Sequence, residues 1–136
     1  MPDATLDDLL ADFTFPQPYT MAAAAGTPAS PGVHVVLDRG VVVYVGHTGN
    51  LRQRLRQHLS GNRGSSVLHD QVGQRLDRPG NAASAADIAG WLGRCEIRWQ
   101  ETDNPESAKE SLVLALRPQF NRQVPKPRRV APEGSA

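Results

Sequence analysis

The sequence predicts a single small α/β domain, because stretches with strand alternation and stretches with helical spacing follow one another along the chain. Residues 32–46 have the pattern of a β-hairpin, with two valine-rich runs separated by Asp38-Arg39-Gly40. Residues 94–101 alternate between apolar and polar side chains as a third strand does. The chain of 136 residues, 39% of them hydrophobic, is long enough for one core of modest size.

The length of the hairpin loop decides which side chains share a face of the sheet. A three-residue loop pairs Leu37 with Val41 and therefore sets His34 opposite Tyr44. A two-residue loop would send those two side chains to opposite faces, because a slip of one residue reverses every position. We predict the three-residue loop.

The hairpin leads into a helix over residues 51–59, with Asn50 as a good N-cap. At about 100° per residue, Arg54 and His58 lie about 40° apart, at the edge of a leucine stripe that we expect to be buried. Two further arginines of this helix point to solvent and form a basic pair, Arg52 and Arg56.

Three later helices are predicted over residues 66–76, 84–91 and 105–116. Asn104-Pro105 is a good start for the last of them, with Pro at the first helical position. Its apolar residues surround most of the circumference, which predicts a central, buried helix.

The two ends of the chain look different from the middle. We expect residues 1–31 to be an arm containing one short helix and a linker rich in Pro, Ala and Gly. This arm is either a docking or dimer element or a loosely packed terminal decoration. We assign residues 32–122 to the domain proper and residues 123–136 to a basic, disordered tail.

The charge of the chain is unevenly distributed. Residues 32–129 contain all 15 Lys and Arg but nine of the 14 acids, so this segment has a net charge of +6 inside a chain of net +1. All but two of these bases are Arg, which suits bidentate contacts to phosphate. The distribution favours a nucleic acid as partner.

The single cysteine, Cys95, excludes an internal disulfide. The sequence shows no signal-peptide pattern and no apolar run of about 18 residues. We therefore expect a soluble, cytoplasmic protein without a membrane segment.

Several spaced groups together resemble the GIY-YIG nuclease family over roughly residues 32–122, and the stretch YVGHTGNLRQRLRQHL is the most specific part. The groups are Gly32-Val33-His34, Tyr44-Val45-Gly46, Arg54, Glu110 and the terminal Pro118-Gln119-Phe120-Asn121. The resemblance implies a small, mainly antiparallel sheet of about three strands flanked by helices. It also implies a metal-dependent endonuclease that cleaves DNA phosphodiester bonds.

The resemblance further implies a role for each matching residue. Arg54 would hold the scissile phosphate, and Glu110 would be the sole protein ligand of one Mg²⁺ or Mn²⁺. Tyr44 would lie beside the attacking water, and Asn121 would close the site through hydrogen bonds near the metal or the hairpin. His58 matches a position near the substrate, and Arg52 and Arg56 are candidate phosphate contacts.

His34 departs from the family, which usually has tyrosine at this position. Since neutral imidazole is a far better base near neutrality than tyrosine, we hypothesise that His34 or His47 takes part in proton transfer while Tyr44 orients the water.

Plainer interpretations exist for every one of these residues. His34 and Tyr44 could be a packing pair, Arg54 one half of a surface ion pair, Glu110 a surface residue and His58 a structural histidine. Two other functions also fit the sequence: a catalytically weak nucleic-acid-binding or accessory subunit, and a nuclease for RNA or for single-stranded or structured DNA. Specificity would come from the arm, the segment 60–94, a homodimer or a partner protein.

Overall fold

The computed structural model describes residues 5–121. Six helices and four strands follow in this order: α1 (Leu6–Leu9), β1 (Gln17–Pro18), α2 (Met21–Ala25), β2 (Gly32–Asp38), β3 (Val41–Thr48), α3 (Leu51–Ser60), α4 (Val67–Leu76), α5 (Ala85–Leu92), β4 (Glu96–Glu101) and α6 (Pro105–Leu116). A 3₁₀ turn at Gln119–Asn121 ends the described chain. The α/β class is confirmed.

The sheet has four antiparallel strands in the order β1-β4-β2-β3, so the predicted count of three is wrong by one. The additional strand, β1, consists of Gln17 and Pro18 and pairs with the edge of β4. Two residues carry no alternation that a sequence pattern could show, and only the pairing makes them a strand.

The β2–β3 connection differs from the predicted three-residue loop. Asp38 pairs with Val41, so the loop has two residues, Arg39 and Gly40, with φ of 52° and 83°. Two successive positive φ angles are the geometry of a type I′ turn, whose twist matches that of the flanking strands.

A β-bulge compensates for the shorter loop. Leu37 pairs with Val42, but Val36 pairs with Tyr44, which leaves Val43 as the extra residue. One inserted residue reverses the alternation, so His34 and Tyr44 still share a face although His34 pairs with Gly46. The predicted common face is therefore confirmed, through a bulge instead of a longer loop.

Helices cover both sides of the sheet. The side that carries Tyr44, called here the Tyr44 face, packs against residues of α2, α3, α4 and α5 and forms the larger core. The opposite side, called the α6 face, packs against α1 and α6 through a smaller core of valines and leucines.

The prediction of a central, buried α6 is wrong. Leu112 is its only buried residue, and Leu114 is 72% exposed. The helix lies on the outside of a sheet that is already covered on its other side, so one stripe of the helix meets the core and the remaining apolar residues face solvent.

Residues 5–31 are packed against the domain and do not form a loose decoration. Leu10 and Tyr19 are fully buried, one in each core. Thr14 receives a hydrogen bond from Arg98 Nε at 2.7 Å through its carbonyl oxygen. The segment therefore contributes a strand, core side chains and a tether to β4.

None of the helices formed by residues 5–121 has the length and apolar character needed to cross a bilayer. The tail predicted at residues 123–136 lies outside the described residues.

Candidate active site

Three aromatic side chains of the Tyr44 face lie against one another. The ring centres of His34 and Tyr44 are 6.0 Å apart, those of His34 and His58 5.3 Å, and those of Tyr44 and His58 5.6 Å. Gly46 makes room for this cluster, because a Cβ at that position would stand 2.6 Å from His34 Nε2. The glycine of the YVG motif is thus required by the close approach of the histidine ring.

Burial controls the protonation of the two histidines. His34 is fully buried, and desolvation, with a smaller contribution from the Arg54 charge, lowers its pKa to about 3. Desolvation likewise lowers the pKa of His58 well below its usual value, with further contributions from His34 and Arg54. Both imidazoles are therefore neutral at physiological pH.

Burial bears on the roles predicted for these two histidines. His34 is fully enclosed and its pKa is lowered to about 3, which favours His47 over His34 as the base in the proton-transfer hypothesis. His58 is fully buried, and its Nδ1 lies 2.6 Å from Ser66 Oγ, which favours the structural alternative for this residue over a contact to substrate.

Tyr44 is almost completely buried, and burial raises the pKa of its hydroxyl despite the opposing effect of the Arg54 charge. The phenol therefore stays protonated and is suited to orient a water molecule by hydrogen bonding.

Arg54 is held in place by uncharged partners. Its Nη1 donates to Gln57 Oε1 at 2.8 Å and to the Ser65 carbonyl oxygen at 3.2 Å. Within residues 5–121 it forms no ion pair, so its charge remains available to an anion. Within the part of the chain that the structure describes, the surface ion pair that the sequence left open is not formed.

Glu110 lies on the other side of the sheet. It is exposed on α6 and lines an open cleft with His47, Thr48 and Gly49 at the end of β3, together with Glu106 and Asp103. His47 turns toward this cleft because it stands two residues after Val45 and therefore shares the α6 face. The predicted site residues are therefore divided between two faces.

Charges from both faces act on His34: besides desolvation, Arg54 on one side and Lys109 and His47 on the other lower its pKa. Lys109 precedes Glu110 on α6, and Glu110 lines the cleft with His47 at the end of β3.

Asn121 holds the edge strand. Its Oδ1 accepts a hydrogen bond from Val45 N at 2.8 Å, and its Nδ2 donates to Val45 O at 2.9 Å. The predicted hydrogen bonds near the hairpin are present. Because the buried amide pairs with the strand as a neighbouring backbone would, the structure gives Asn121 a role in positioning β3.

The outer arginines fall into two classes. Arg52 and Arg56 are exposed as predicted and line a shallow groove beside α3, although Arg52 Nε also donates to the Thr27 carbonyl oxygen at 2.8 Å. Arg63 makes a bidentate contact with Asp77 and a further one with Asp70, so its donors are engaged within the protein.

Sequence reasoning missed four residues that support the site. Tyr19 donates from its hydroxyl to the Leu55 carbonyl oxygen at 2.7 Å and so ties the N-terminal segment to α3. Gln57, Ser66 and Lys109 act on Arg54, His58 and His34 respectively. For Gln57, spacing was a usable signal, since it stands one turn after Arg54 on a predicted helix. Tyr19 gave none, because its contact spans 36 residues.

The carboxylates of the cleft fit a metal bound largely through water. Residues 5–121 contain no cluster of three or more His, Cys, Asp or Glu side chains arranged to hold an ion. Glu110 is exposed at the cleft wall and free of ion pairs within the described chain. Mg²⁺ commonly binds to one or two carboxylates and keeps several waters, so a single-carboxylate site suits this ion.

Comparison with known proteins gives one family and one group of solved structures. Residues 34–78 match the family model of the GIY-YIG catalytic domain. Similar structures include the GIY-YIG N-terminal endonuclease domain of UvrC from Thermotoga maritima bound to magnesium, and a point mutant of that domain bound to its catalytic divalent cation. Each is 20% identical to this chain with a TM-score of 0.48, and the match covers 74% of this chain and 92% or 91% of the other.

No curated protein sequence matches the chain. The family match begins in β2 and ends just after α4, and it includes Tyr44, Arg54 and His58. The resemblance to the GIY-YIG family inferred from the sequence is therefore confirmed over residues 34–78.

Proposed function

We propose that the protein is a metal-dependent endonuclease that hydrolyses DNA phosphodiester bonds at the end of β3. The observation that carries the proposal is Arg54, a cation without an ion pair in residues 5–121, held by neutral acceptors beside Tyr44. A positioned guanidinium stabilises the transition state of phosphodiester hydrolysis, because negative charge grows on the phosphoryl oxygens during attack.

Each face of the sheet supplies part of the chemistry. From the Tyr44 face, Arg54 binds the scissile phosphate, and Tyr44 orients the attacking water through its protonated hydroxyl. From the α6 face, His47 accepts the proton of that water, since it is the histidine that borders the open cleft.

Glu110 holds the metal, Mg²⁺ or Mn²⁺, in this proposal. When bound, the ion supplies Lewis-acid stabilisation of the phosphoryl charge and of the leaving oxygen. Glu106 and Asp103 line the same cleft and increase its negative charge, which favours a divalent cation there.

Cleavage of supercoiled plasmid in Mg²⁺, Mn²⁺ or EDTA tests the proposal. Arg54→Ala and Glu110→Gln should each remove metal-dependent cutting. The controls are Arg39→Ala, which removes an 88% exposed arginine of the hairpin turn, and Glu96→Gln, which removes an exposed carboxylate of β4 outside the cleft. Cutting that survives Arg54→Ala, or that both glutamate variants abolish equally, would contradict these assignments.

Proton transfer through His47 has its own test. His47→Gln should lower the single-turnover cleavage rate by about 10²- to 10⁴-fold, whereas His34→Gln should lower it far less because His34 is buried and neutral. An unchanged cleavage rate in His47→Gln contradicts the assignment.

A second candidate, a nucleic-acid-binding accessory subunit without strong catalysis, is favoured by one observation. Glu110 belongs to a helix packed on the face opposite Tyr44, so the two residues meet only around the end of β3. DNA binding without cutting on plasmid, linear duplex, single-stranded DNA or RNA would support this candidate. Cutting of RNA or single-stranded DNA alone would instead change the substrate class.

The charge pattern and the motif also support action on nucleic acid. A homodimer or a partner protein that supplies specificity remains part of the proposal. Light scattering of the free protein and of its DNA complex measures whether a homodimer forms.

A further inference from the structure

The segment between α4 and α5 forms a groove on the Tyr44 side that the proposed chemistry does not use. Trp91, Leu76 and small alanine side chains form its floor, and its rim carries Arg78, Asn81 and Arg94. We call it the α4–α5 groove. Most of its lining follows residue 78 and so lies outside the part of the chain that matches the family model, which reaches only Leu76 and Arg78 of the groove.

The groove concentrates positive charge that nothing in the described chain neutralises. Arg78 and Arg94 stand at its rim, and the Arg75 guanidinium carbon lies 5.7 Å from the centre of the Trp91 ring. None of the three arginines forms an ion pair among residues 5–121. The one acid on the rim, Asp87, accepts a hydrogen bond from Ser84 N at 3.0 Å, so three cations face a single carboxylate.

The rim is rigid before any ligand arrives. Arg78 and Asn81 exchange two backbone hydrogen bonds of 3.0 and 2.8 Å across a turn whose Gly80 has a φ of 71°. Asp77, the residue before this turn, accepts from Ala83 N at 2.8 Å and from two nitrogens of Arg63 at 3.0 Å. A cation on such a turn loses little backbone freedom on binding an anion.

The floor of the groove indicates which part of a nucleic acid the groove can bind. Trp91 is 7% exposed, and its ring packs against Phe120 edge-on at 5.8 Å. A ring buried in this way offers no free face for base stacking, whereas the exposed guanidinium groups can reach phosphates. Contacts to phosphate carry no base information and add affinity on any sequence.

We propose that the α4–α5 groove binds the phosphate backbone of duplex DNA away from the scissile bond, through Arg78 and Arg94. This inference rests on the proposed nucleic-acid substrate and names the surface that binds the duplex on one side of the scissile bond.

The test is fluorescence anisotropy of a labelled 30-base-pair duplex with the full chain in EDTA, over a range of salt concentrations. Arg78→Gln and Arg94→Gln should each weaken binding by about threefold to tenfold and reduce the slope of log Kd against log salt by about 1, on sequences of any composition. Arg39→Gln is the matched control, because it removes the same charge from the 88% exposed hairpin turn at the opposite end of β3. Arg39→Gln should change the affinity by less than about twofold.

The groove proposal fails if both variants bind as the wild type does, or if Arg39→Gln loses as much affinity as they do. A change of Tm in Arg78→Gln or Arg94→Gln would reveal an unfolding artefact. The charge-neutralising variant Asp87→Asn, which removes the acid on the rim and should strengthen binding, then decides the question. Cleavage in Mg²⁺ by the same preparations separates the two proposals. If the wild type cuts DNA but the groove variants bind as tightly as it does, only the groove proposal is overturned. If the groove variants lose affinity but the wild type does not cut, only the nuclease proposal is overturned.

Discussion

The two faces of the sheet differ in how far they are open to solvent. The Tyr44 face is closed: four helices cover it, and its polar groups, His34 and His58, are buried in their neutral forms. The α6 face has a smaller core, and its cleft between β3 and α6 is open to solvent and rich in carboxylates. The closed face fixes the positions of Arg54 and Tyr44, while the open face offers the room that a hydrated ion needs.

This division has a physical reason. A charge that must stay available cannot be buried without a partner, so Arg54 emerges at the rim of the closed face and Glu110 stands on the open one. Besides desolvation, charges from both faces lower the pKa of His34. A site built this way depends on the end of β3 to bring the two halves together.

The largest expected effect tests whether the two faces form one site. Arg54→Ala and Glu110→Ala should each lower the single-turnover cleavage rate by about 10²- to 10³-fold, because each removes charge stabilisation of one transition state. If both act on that transition state, the double variant should be little worse than either single one. Fully additive losses would contradict a shared site. Arg39→Ala, at the 88% exposed hairpin turn, serves as the control.

The next effect compares packing on the two sides. Leu55→Ala on the Tyr44 face should lower the free energy of unfolding by about 2–5 kcal/mol, because the residue is fully buried in the larger core. Leu114→Ala on α6 should change it by less than about 0.5 kcal/mol, since that side chain is 72% exposed. Urea unfolding measures both, and similar losses for the two variants would contradict the assignment of α6 to the outside.

The closed face should also make the protein sensitive to acid. In the folded state the pKa of His34 is lowered to about 3, so the unfolded chain binds this proton first as the pH falls. Stability is therefore retained above about pH 6.5 and lost progressively between about 6.5 and 3, by roughly 2 kcal/mol at pH 5 from this residue. His58 acts in the same direction.

Unfolding free energies of the wild type and His34→Gln, measured between pH 4.5 and 7.5, check this expectation. The variant should show the shallower acid dependence, because it lacks the titrating ring. Parallel curves would mean that His34 is protonated equally well in both states.

The smallest expected effect concerns the strand between the faces. Asn121→Ala removes two hydrogen bonds to Val45 and should cost about 1–3 kcal/mol of stability. Hydrogen exchange at the Val45 amide should accelerate in this variant, whereas exchange at Val36 inside the sheet should follow only the global loss. Unchanged protection at Val45 would contradict the role of Asn121 as an edge cap. Gln119→Ala, an exposed change in the same turn, is the control.

Local patterns in the sequence were good guides to the elements. Asn50 caps α3 as predicted. Ser66 and Ser84, the predicted starts of α4 and α5, cap those helices in the same way, by accepting a hydrogen bond from the backbone three residues on. The strand around Ile97 and the helix from Pro105 to Leu116 also form as predicted. Caps, alternation and turn residues act within a few positions, so they can be recognised in one dimension.

Long-range features could not be predicted from the sequence pattern. The bulge at Val43, the strand at Gln17–Pro18 and the hydroxyl contact of Tyr19 each depend on a partner that the local pattern does not name. Their consequences were large, since the bulge alone decides whether His34 and Tyr44 share a face.

The sequence by itself determined the α/β class, the GIY-YIG motif and the residue types available for phosphate chemistry, because these depend on local spacing and side-chain identity. Only the tertiary structure decided which of them are accessible. It buried His34 and His58, exposed Glu110 and assigned Asn121 to the strand edge. Burial and proximity arise from packing between distant segments, and they set which groups stay charged and which can meet a substrate.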